Sequence, residues 1–176
     1  MTALETIRER TSYRGRYKES PVCREDLRKI MEAGLAAPSG CNTQTTSLIA
    51  VDDTAVMEKL KNVIEPEFVV SAPALICVLT QEVAAYKDVC FNVQDYSAAI
   101  ENMLLAIVAL GYQSCWIEGQ ITDEHKIGEK MAELLGVPLE YKLVCFLPVG
   151  IADQPLRNVR KKLFEERAWF NGFGKA

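Results

Sequence analysis

Residues 95–110 read DYSAAIENMLLAIVAL, and the apolar side chains of this run fall on almost every face of a helix. A helix that is apolar all round is buried in a core or in an interface. The whole chain has 176 residues, which limits the size of a single core. Of these two, a subunit interface is the more economical explanation for a domain of this size, so we predict that this helix lies in one. Gly111 is expected in the left-handed position that ends many helices.

Outward from this run, the spacing of apolar residues predicts helices and strands within one domain spanning residues 1–176. The predicted helices cover residues 4–8, 24–36, 55–63 and 124–135, and the predicted strands cover 46–51, 74–80, 114–118 and 143–151. The expected helix caps are Asp53 or Thr54 and Thr122 or Asp123, and the expected stop is Gly136.

The order of these elements indicates the fold class. The elements do not alternate as regular βαβ units, and no Gly-x-Gly-x-x-Gly follows a predicted strand. A Rossmann dinucleotide fold is therefore disfavoured. The predicted class is α+β, a sandwich in which helices flank a central sheet.

Composition and charge narrow the classes of function. Hydrophobic residues make up 49% of the chain, charged residues 25%, and the net charge is −4. This balance is typical of a soluble enzyme-like domain and disfavours a nucleic-acid surface. The longest apolar stretch, residues 103–110, is too short to span a bilayer. Because Glu5 and Arg8 charge the N-terminus, we expect no signal peptide and a cytoplasmic protein.

The cysteine pattern disfavours a metal site. The chain has six cysteines and one histidine, His125, and no Cys-x-x-Cys pair. Three cysteines lie in apolar runs and are predicted to be core residues, namely Cys77, Cys115 and Cys145. Cys41 lies in a tight loop without a base close in sequence, so we interpret it as a small loop residue rather than a nucleophile.

Two arginine-centred segments and one loop predict a cofactor site. The segments are Arg10-Thr11-Ser12-Tyr13-Arg14 and Arg160-Lys161-Lys162, and the loop is Ala37-Pro38-Ser39-Gly40-Cys41-Asn42-Thr43-Gln44. Arginine side chains and a serine hydroxyl bind phosphate through charge-assisted hydrogen bonds. The amides of Asn42 and Gln44 carry donors and acceptors that match a planar heterocycle. Together these features indicate a nucleotide-like cofactor such as FMN.

On these residues the chain resembles a short member of the FMN-dependent nitroreductase family, from Ile7 to Gly174. The landmarks occur in the family's order and are the Arg-x-Ser-x-Arg opening, Tyr17, Pro21-Val22, the loop at 38–44, the apolar helix, Cys115-Trp116-Ile117-Glu118-Gly119, Pro148-Val149-Gly150 and Arg160. The resemblance implies a mainly antiparallel central sheet. It also implies a homodimer with FMN at the subunit interface and a C-terminal arm that embraces the partner subunit.

The resemblance also assigns the cofactor-binding residues. Arg10, Ser12 and Arg160 are expected at the phosphate, and Arg14 near the ribityl chain and pyrimidine edge. Asn42 and Gln44 are expected to face the flavin from the partner's side of the site. The full expected set is Arg10, Thr11, Ser12, Arg14, Pro38, Ser39, Asn42, Gln44, Ile117, Glu118, Gly119 and Arg160. No side chain is expected to act as a catalytic acid or base, because the chemistry belongs to the flavin.

The implied activity is hydride transfer from NAD(P)H to a small-molecule electron acceptor, such as a nitroaromatic or a quinone, by a ping-pong mechanism. Two alternatives stay open at this stage. One is a flavoenzyme of the same fold with other redox chemistry, such as reductive dehalogenation or oxidation of a small substrate. The other is a non-enzymatic flavin-binding storage or regulatory protein. Neither a nucleic acid nor a membrane is an expected partner.

Overall fold

The structure is a computed structural model that describes residues 1–64, 66–119, 121, 126–157 and 159–174. The helices are α1 (Ala3–Glu9), α2 (Arg24–Leu35), α3 (Thr54–Lys61), α4 (Glu67–Val70), α5 (Asn92–Ala109) and α6 (Ile127–Leu134). The strands are β1 (Thr46–Val51), β2 (Ala74–Thr80), β3 (Ala84–Tyr86), β4 (Val89–Cys90) and β5 (Lys142–Val149). Short 3₁₀ turns cover Gly40–Asn42 and Phe164–Glu166. The predicted α+β class is confirmed.

The main sheet is antiparallel and has the order β1-β2-β5. Every residue of its central strand β2 is buried. The strand predicted at residues 114–118 is wrong as a regular strand, because this segment meets β5 only at isolated bridges from Gln113 to Gly150 and from Ile117 to Phe146. Between them the carbonyl of Ser114 accepts the backbone N–H of Tyr13 over 2.9 Å. The segment thus divides its hydrogen bonds between β5 and the N-terminal segment.

The core consists of two buried clusters on opposite faces of the sheet, as the alternation of side chains along β2 requires. One cluster packs Leu75 and Cys77 against α3 and α6. The other packs Ile76 and Val78 against α2 and α5. Three residues of α5 are fully buried there: Ile100, Met103 and Ile107. Most of the apolar surface of α5 is therefore covered within the protomer, which the sequence-based prediction of an interface for this helix did not foresee.

Helix ends follow the predicted chemistry where the structure describes them. The Asp53 side chain caps α3 by accepting from the backbone N–H of Val56 over 3.0 Å. Gly111 and Gly136 have φ of 87° and 65°, the left-handed region expected after α5 and α6. Helix α6 begins at Ile127. The predicted start of this helix at residue 124 and the caps Thr122 and Asp123 lie outside the described residues.

The C-terminal arm, residues 155–174, follows β5 and the hydrogen bonds of Asp153 and Gln154 to Tyr13. Its aromatic residues contact one another, with ring centroids 4.1 Å apart for Trp169 and Phe173 and 6.0 Å apart for Phe164 and Phe170. Even so, Phe173 is 87% exposed. Within the part of the arm that the structure describes, the hydrogen bonds join arm residues only. None of the described helices is long and apolar enough to cross a membrane.

Candidate functional site

A basic cavity lies between the N-terminal segment and the start of the arm. Its volume is about 610 Å³, and it is lined by Arg8, Glu9, Arg10, Thr11, Ser12, Arg14, Leu156, Arg157, Val159 and Lys161. Arginine and lysine side chains outnumber the single carboxylate, so the cavity is suited to an anion. The structure thus brings together the predicted residues 10–12 and Arg14. The arm contributes Arg157 and Lys161 to the lining, whereas Arg160 is exposed and outside it.

Tyr13 fixes the N-terminal side of the basic cavity. Its ring is buried, and its hydroxyl donates to the carbonyl of Arg16. The same oxygen accepts the backbone N–H groups of Asp153 and Gln154 over 3.1 and 3.2 Å. One phenol therefore joins the N-terminal segment to the root of the arm. Sequence reasoning missed this role, although a tyrosine between two exposed polar residues was a usable signal of an inward-facing side chain.

Arg10 is the most constrained cation of the basic cavity. Its Nε lies 3.4 Å from a carboxylate oxygen of Glu101 on α5, and its side chain is 21% exposed. A guanidinium carries five N–H donors in a fixed plane. Because Glu101 engages one edge of the group, the remaining donors are free to bind an anion in a set orientation.

The loop at residues 38–44, called here the amide loop, lines a second and smaller cavity. This cavity has a volume of about 170 Å³ and is lined by Gly34, Leu35, Ala37, Pro38, Ser39, Gln44, Thr46, Asp95 and Ala99. The predicted loop residues are therefore brought to a different cavity from the arginine segment of the same protomer. Asn42 is exposed beside this cavity and is not part of its lining.

Asp95 holds the amide loop to α5. One of its carboxylate oxygens accepts the backbone N–H of Gly40 and the other accepts the hydroxyl of Thr45, both over 2.7 Å. The Ser39 hydroxyl oxygen accepts the backbone N–H of Gln44 over 3.0 Å. Sequence reasoning did not identify Asp95 as a site residue. Its signal was an acidic residue at the start of an otherwise apolar run, where an unpaired charge would be costly to bury.

The segment 117–119 is anchored on both its backbone and its side chains. Ile117 exchanges two backbone hydrogen bonds with Phe146, of 3.2 and 3.1 Å. The Glu118 carboxylate accepts from the Tyr96 hydroxyl over 3.0 Å and from the Trp116 indole N–H over 2.8 Å. Burial, and then the hydrogen bond to Glu118, raise the pKa of Tyr96 to about 12. Among the described residues, and apart from its chain neighbours, no atom lies within 4 Å of a Cβ added at Gly119, which leaves room for a ligand at this backbone.

The buried cysteines are core residues, as predicted. Cys77, Cys115 and Cys145 have no exposed surface. Burial raises the pKa of the Cys77 thiol to about 12 and that of Cys115 to about 11, which disfavours thiolate chemistry. Cys41 is exposed in the amide loop. Among the described residues no group of histidine, cysteine and acidic side chains could hold a metal ion. His125 lies outside the described part of the chain.

Comparisons with known proteins agree with this geometry. The model of the Nitroreductase family matches residues 7–71 and 64–151. A protein from Archaeoglobus fulgidus, provisionally named an NADH dehydrogenase/NAD(P)H nitroreductase, is 34% identical over 123 residues, which cover 69% of this chain and 70% of that protein.

Two solved structures extend the comparison to the fold. An FMN-dependent nitroreductase from Clostridium difficile has a TM-score of 0.80 at 26% identity, covering 97% of this chain and 99% of that one. A nitroreductase with bound FMN from Bacteroides fragilis has a TM-score of 0.75 at 29% identity, covering 92% and 95%. On its sequence and its fold, the chain belongs to the nitroreductase family.

Proposed function

We propose that the chain is an FMN-dependent oxidoreductase that transfers hydride from NADH or NADPH to nitroaromatic, quinone or related electron acceptors by a ping-pong mechanism. The observation that carries this proposal is the basic cavity, which gathers two of the three expected phosphate ligands, Arg10 and Ser12, in a chain of the nitroreductase family. The relative from Bacteroides fragilis binds FMN, which supports the same cofactor here. When bound, FMN supplies the hydride-accepting and hydride-donating centre of the reaction.

The basic cavity fits the phosphate end of this cofactor. Its volume of about 610 Å³ lies within the range of about 300–1,000 Å³ that is common for ligand pockets. Arg10 is half-buried and already oriented by Glu101. The exposed Ser12 hydroxyl has no hydrogen-bond partner among the described residues. Arg157 and Lys161 add positive charge from the arm, and Arg160 remains an expected phosphate ligand.

The complete site is proposed to lie between two subunits of a homodimer. In one protomer the amide loop lines a cavity that is separate from the basic cavity. We propose that a cofactor in the basic cavity contacts the amide loop of the partner subunit. The exposed Asn42 and Gln44 make no side-chain hydrogen bond within the described chain, which leaves their amides free for that cofactor. The exposed aromatic arm provides apolar surface for the partner subunit.

The proposed chemistry requires no general acid or base from the protein. Glu118 is the carboxylate nearest the expected flavin-binding segment, but both of its oxygens accept hydrogen bonds from Tyr96 and Trp116. We therefore assign Glu118 to positioning of the 117–119 backbone. Because the N–H of Ile117 is bonded to the Phe146 carbonyl, the N–H groups proposed to face the flavin are those of Glu118 and Gly119.

The test is an absorbance spectrum of the purified protein followed by anaerobic addition of NADH and of NADPH. Bound FMN should give the visible bands of an oxidised flavin, and one or both nicotinamides should bleach them within seconds. A quinone or nitroaromatic added next should restore the bands without dissociation of the flavin. A flavin that neither nicotinamide bleaches would contradict the oxidoreductase and favour a storage or regulatory role. Absence of bound flavin after reconstitution with FMN would contradict the cofactor itself.

A further inference from the structure

We propose that Asp95 is a positioning residue that sets the amide loop in the conformation that binds the flavin, an inference that rests on the proposed function. Asp95 lies in the first turn of α5 and is 3% exposed. Asp95 is not among the residues expected to bind the flavin, and both of its carboxylate oxygens are engaged by the amide loop. It acts through the loop, and its two short hydrogen bonds to Gly40 and Thr45 carry the argument.

The amide loop needs such a restraint because its backbone is strained. Cys41, Asn42 and Gln44 have φ of 52°, 57° and 50°, in the left-handed region. A residue other than glycine pays roughly 1–2 kcal/mol for this conformation. Such residues persist only where surrounding contacts over-determine them. Within the loop, the bond from Gln44 to Ser39 and that from the Thr43 hydroxyl to the Gly40 carbonyl supply part of the restraint.

Asp95 supplies the remaining restraint by accepting hydrogen bonds at both ends of the strained segment. Gly40 precedes Cys41 and Thr45 follows Gln44, so the two carboxylate oxygens bracket residues 41–44. Hydrogen bonds to a carboxylate are about twice as strong as neutral ones. The N-terminal turn of an 18-residue helix also favours a negative charge at this position. Because Ile100 and Met103 anchor α5 in the core, the carboxylate of Asp95 is held in a fixed position.

The consequence for binding is preorganisation. Asn42 and Gln44 are held outward with free amides before any ligand arrives. A loop that had to be ordered on binding would subtract its ordering cost from the affinity. Asp95 thus acts on FMN affinity and on the environment of the bound flavin without touching it.

The experiment compares Asp95→Asn with Asn102→Ala, using the full chain reconstituted with FMN. Asparagine keeps the shape of Asp95 and can still pair with Gly40 and with a Thr45 hydroxyl that reverses its role. It removes the negative charge, however, so the two loop contacts are no longer charge-assisted. Asn102 lies on the same helix and donates to the carbonyl of Ala33 over 3.1 Å, away from the amide loop. Asn102→Ala therefore lowers the free energy of unfolding without changing the loop. Thr45→Val is a milder second variant, since it removes only the hydroxyl donor to Asp95.

The readouts are the Kd for FMN, the visible circular dichroism of the bound flavin and the urea midpoint of the flavin-free protein. We expect Asp95→Asn to raise the Kd by about 10-fold or more and to change the dichroism, because the two loop contacts lose their charge assistance. Thr45→Val should shift both readouts in the same direction by less. Asn102→Ala should lower the urea midpoint while its Kd stays within about twofold of wild type.

Three outcomes overturn the inference. One is an unchanged Kd and dichroism in both Asp95→Asn and Thr45→Val. Another is an equal rise in Kd for Asn102→Ala at the same loss of stability, since the effect would then be general. A wild-type protein that binds no FMN would overturn the proposed function, and this inference with it, before any variant is compared.

Discussion

The hydroxyl of Tyr96 donates a hydrogen bond of 3.0 Å to one carboxylate oxygen of Glu118, and the indole N–H of Trp116 donates to the other over 2.8 Å. Tyr96 directly follows Asp95 in α5. A single turn of this helix therefore holds both the amide loop and the segment 117–119. Two of the chain segments that are expected to contact a flavin are therefore supported by adjacent residues of one helix.

Glu118→Gln should keep most of the steady-state quinone reduction. A glutamine oxygen accepts from Trp116, while its amide donates to the Tyr96 hydroxyl, which can reverse its role. General acid–base catalysis is typically worth roughly 100- to 10,000-fold, so a loss of that size with FMN still bound would identify Glu118 as a proton donor. Glu118→Ala should instead lower the free energy of unfolding by about 1–3 kcal/mol, because it leaves the donors of Tyr96 and Trp116 unpaired.

Arg10→Ala should weaken FMN binding with little effect on folding. Loss of a charge-assisted hydrogen bond of roughly 1.5–3 kcal/mol raises the Kd by about 10- to 150-fold. Titration of the flavin-free protein with FMN measures this, and Arg157→Ala and Arg160→Ala decide which cation of the arm contributes. Arg24→Ala is the matched control, since Arg24 pairs with Asp52 at an exposed site outside the basic cavity. If all four variants bind FMN with the affinity of the wild type, these arginines do not bind the cofactor phosphate.

Tyr13→Phe should loosen the basic cavity without changing its charge. The variant keeps the buried ring but removes the oxygen that accepts from Asp153 and Gln154. The N–H of Gln154 then has no acceptor among the described residues, which costs about 1–3 kcal/mol, whereas that of Asp153 keeps its bond of 3.0 Å to the Arg16 carbonyl. We expect a lower urea midpoint and a higher Kd for FMN. A higher rate of hydrogen exchange at Gln154 should accompany both changes, and unchanged exchange there would contradict the assigned role of the hydroxyl.

Cys41→Gly should raise the free energy of unfolding, and Cys41→Ala should retain most of the activity. With φ of 52°, Cys41 pays a strain of about 1–2 kcal/mol that glycine avoids, although glycine adds entropy to the unfolded chain. Urea denaturation of the flavin-free protein measures the difference. Loss of quinone reduction in Cys41→Ala at matched FMN occupancy would show instead that the thiol takes part in the chemistry.

Stability should fall as the pH rises above 9. Burial raises the pKa of Cys115 from 9.0 to about 11 and that of Cys77 from 9.0 to about 12. Between pH 9 and the raised pKa of each thiol, the unfolded chain releases a thiol proton that the folded chain keeps. The free energy of unfolding therefore decreases as the pH rises through this range. Urea denaturation under reducing conditions from pH 8 upward should show this decline. In Cys115→Ala the free energy of unfolding should fall less steeply with pH. If it falls as steeply as in the wild type, the raised pKa of Cys115 does not contribute to the decline.

The sequence predicted the fold better than the site. Regular runs such as 24–36 and 74–80 gave correct elements because periodic burial there coincides with helix and strand geometry. The segment 114–118 is apolar like a strand, but the backbone N–H of Tyr13 donates to the carbonyl of Ser114. The local sequence pattern cannot reveal a contact between residues so far apart in the chain. The same limit applies to Asp95 and Tyr13. Each carries a local signal of burial, but its partners lie 50 or more residues away, so the sequence could not identify those partners.

Each flavin site is proposed to be built from the basic cavity of one subunit and the amide loop of the other. Dimers that combine two different variants test whether the site is shared in this way. One chain carries Arg10→Ala and the other carries Asn42→Ala with Gln44→Ala, each of which should bind FMN weakly alone. In a shared site, the mixed dimer contains one site with both intact parts and one with both damaged. Mixing the two variants should restore one tightly bound FMN per mixed dimer. If FMN binding in the mixture stays at the level of the separate variants, the site lies within a single subunit and is not shared.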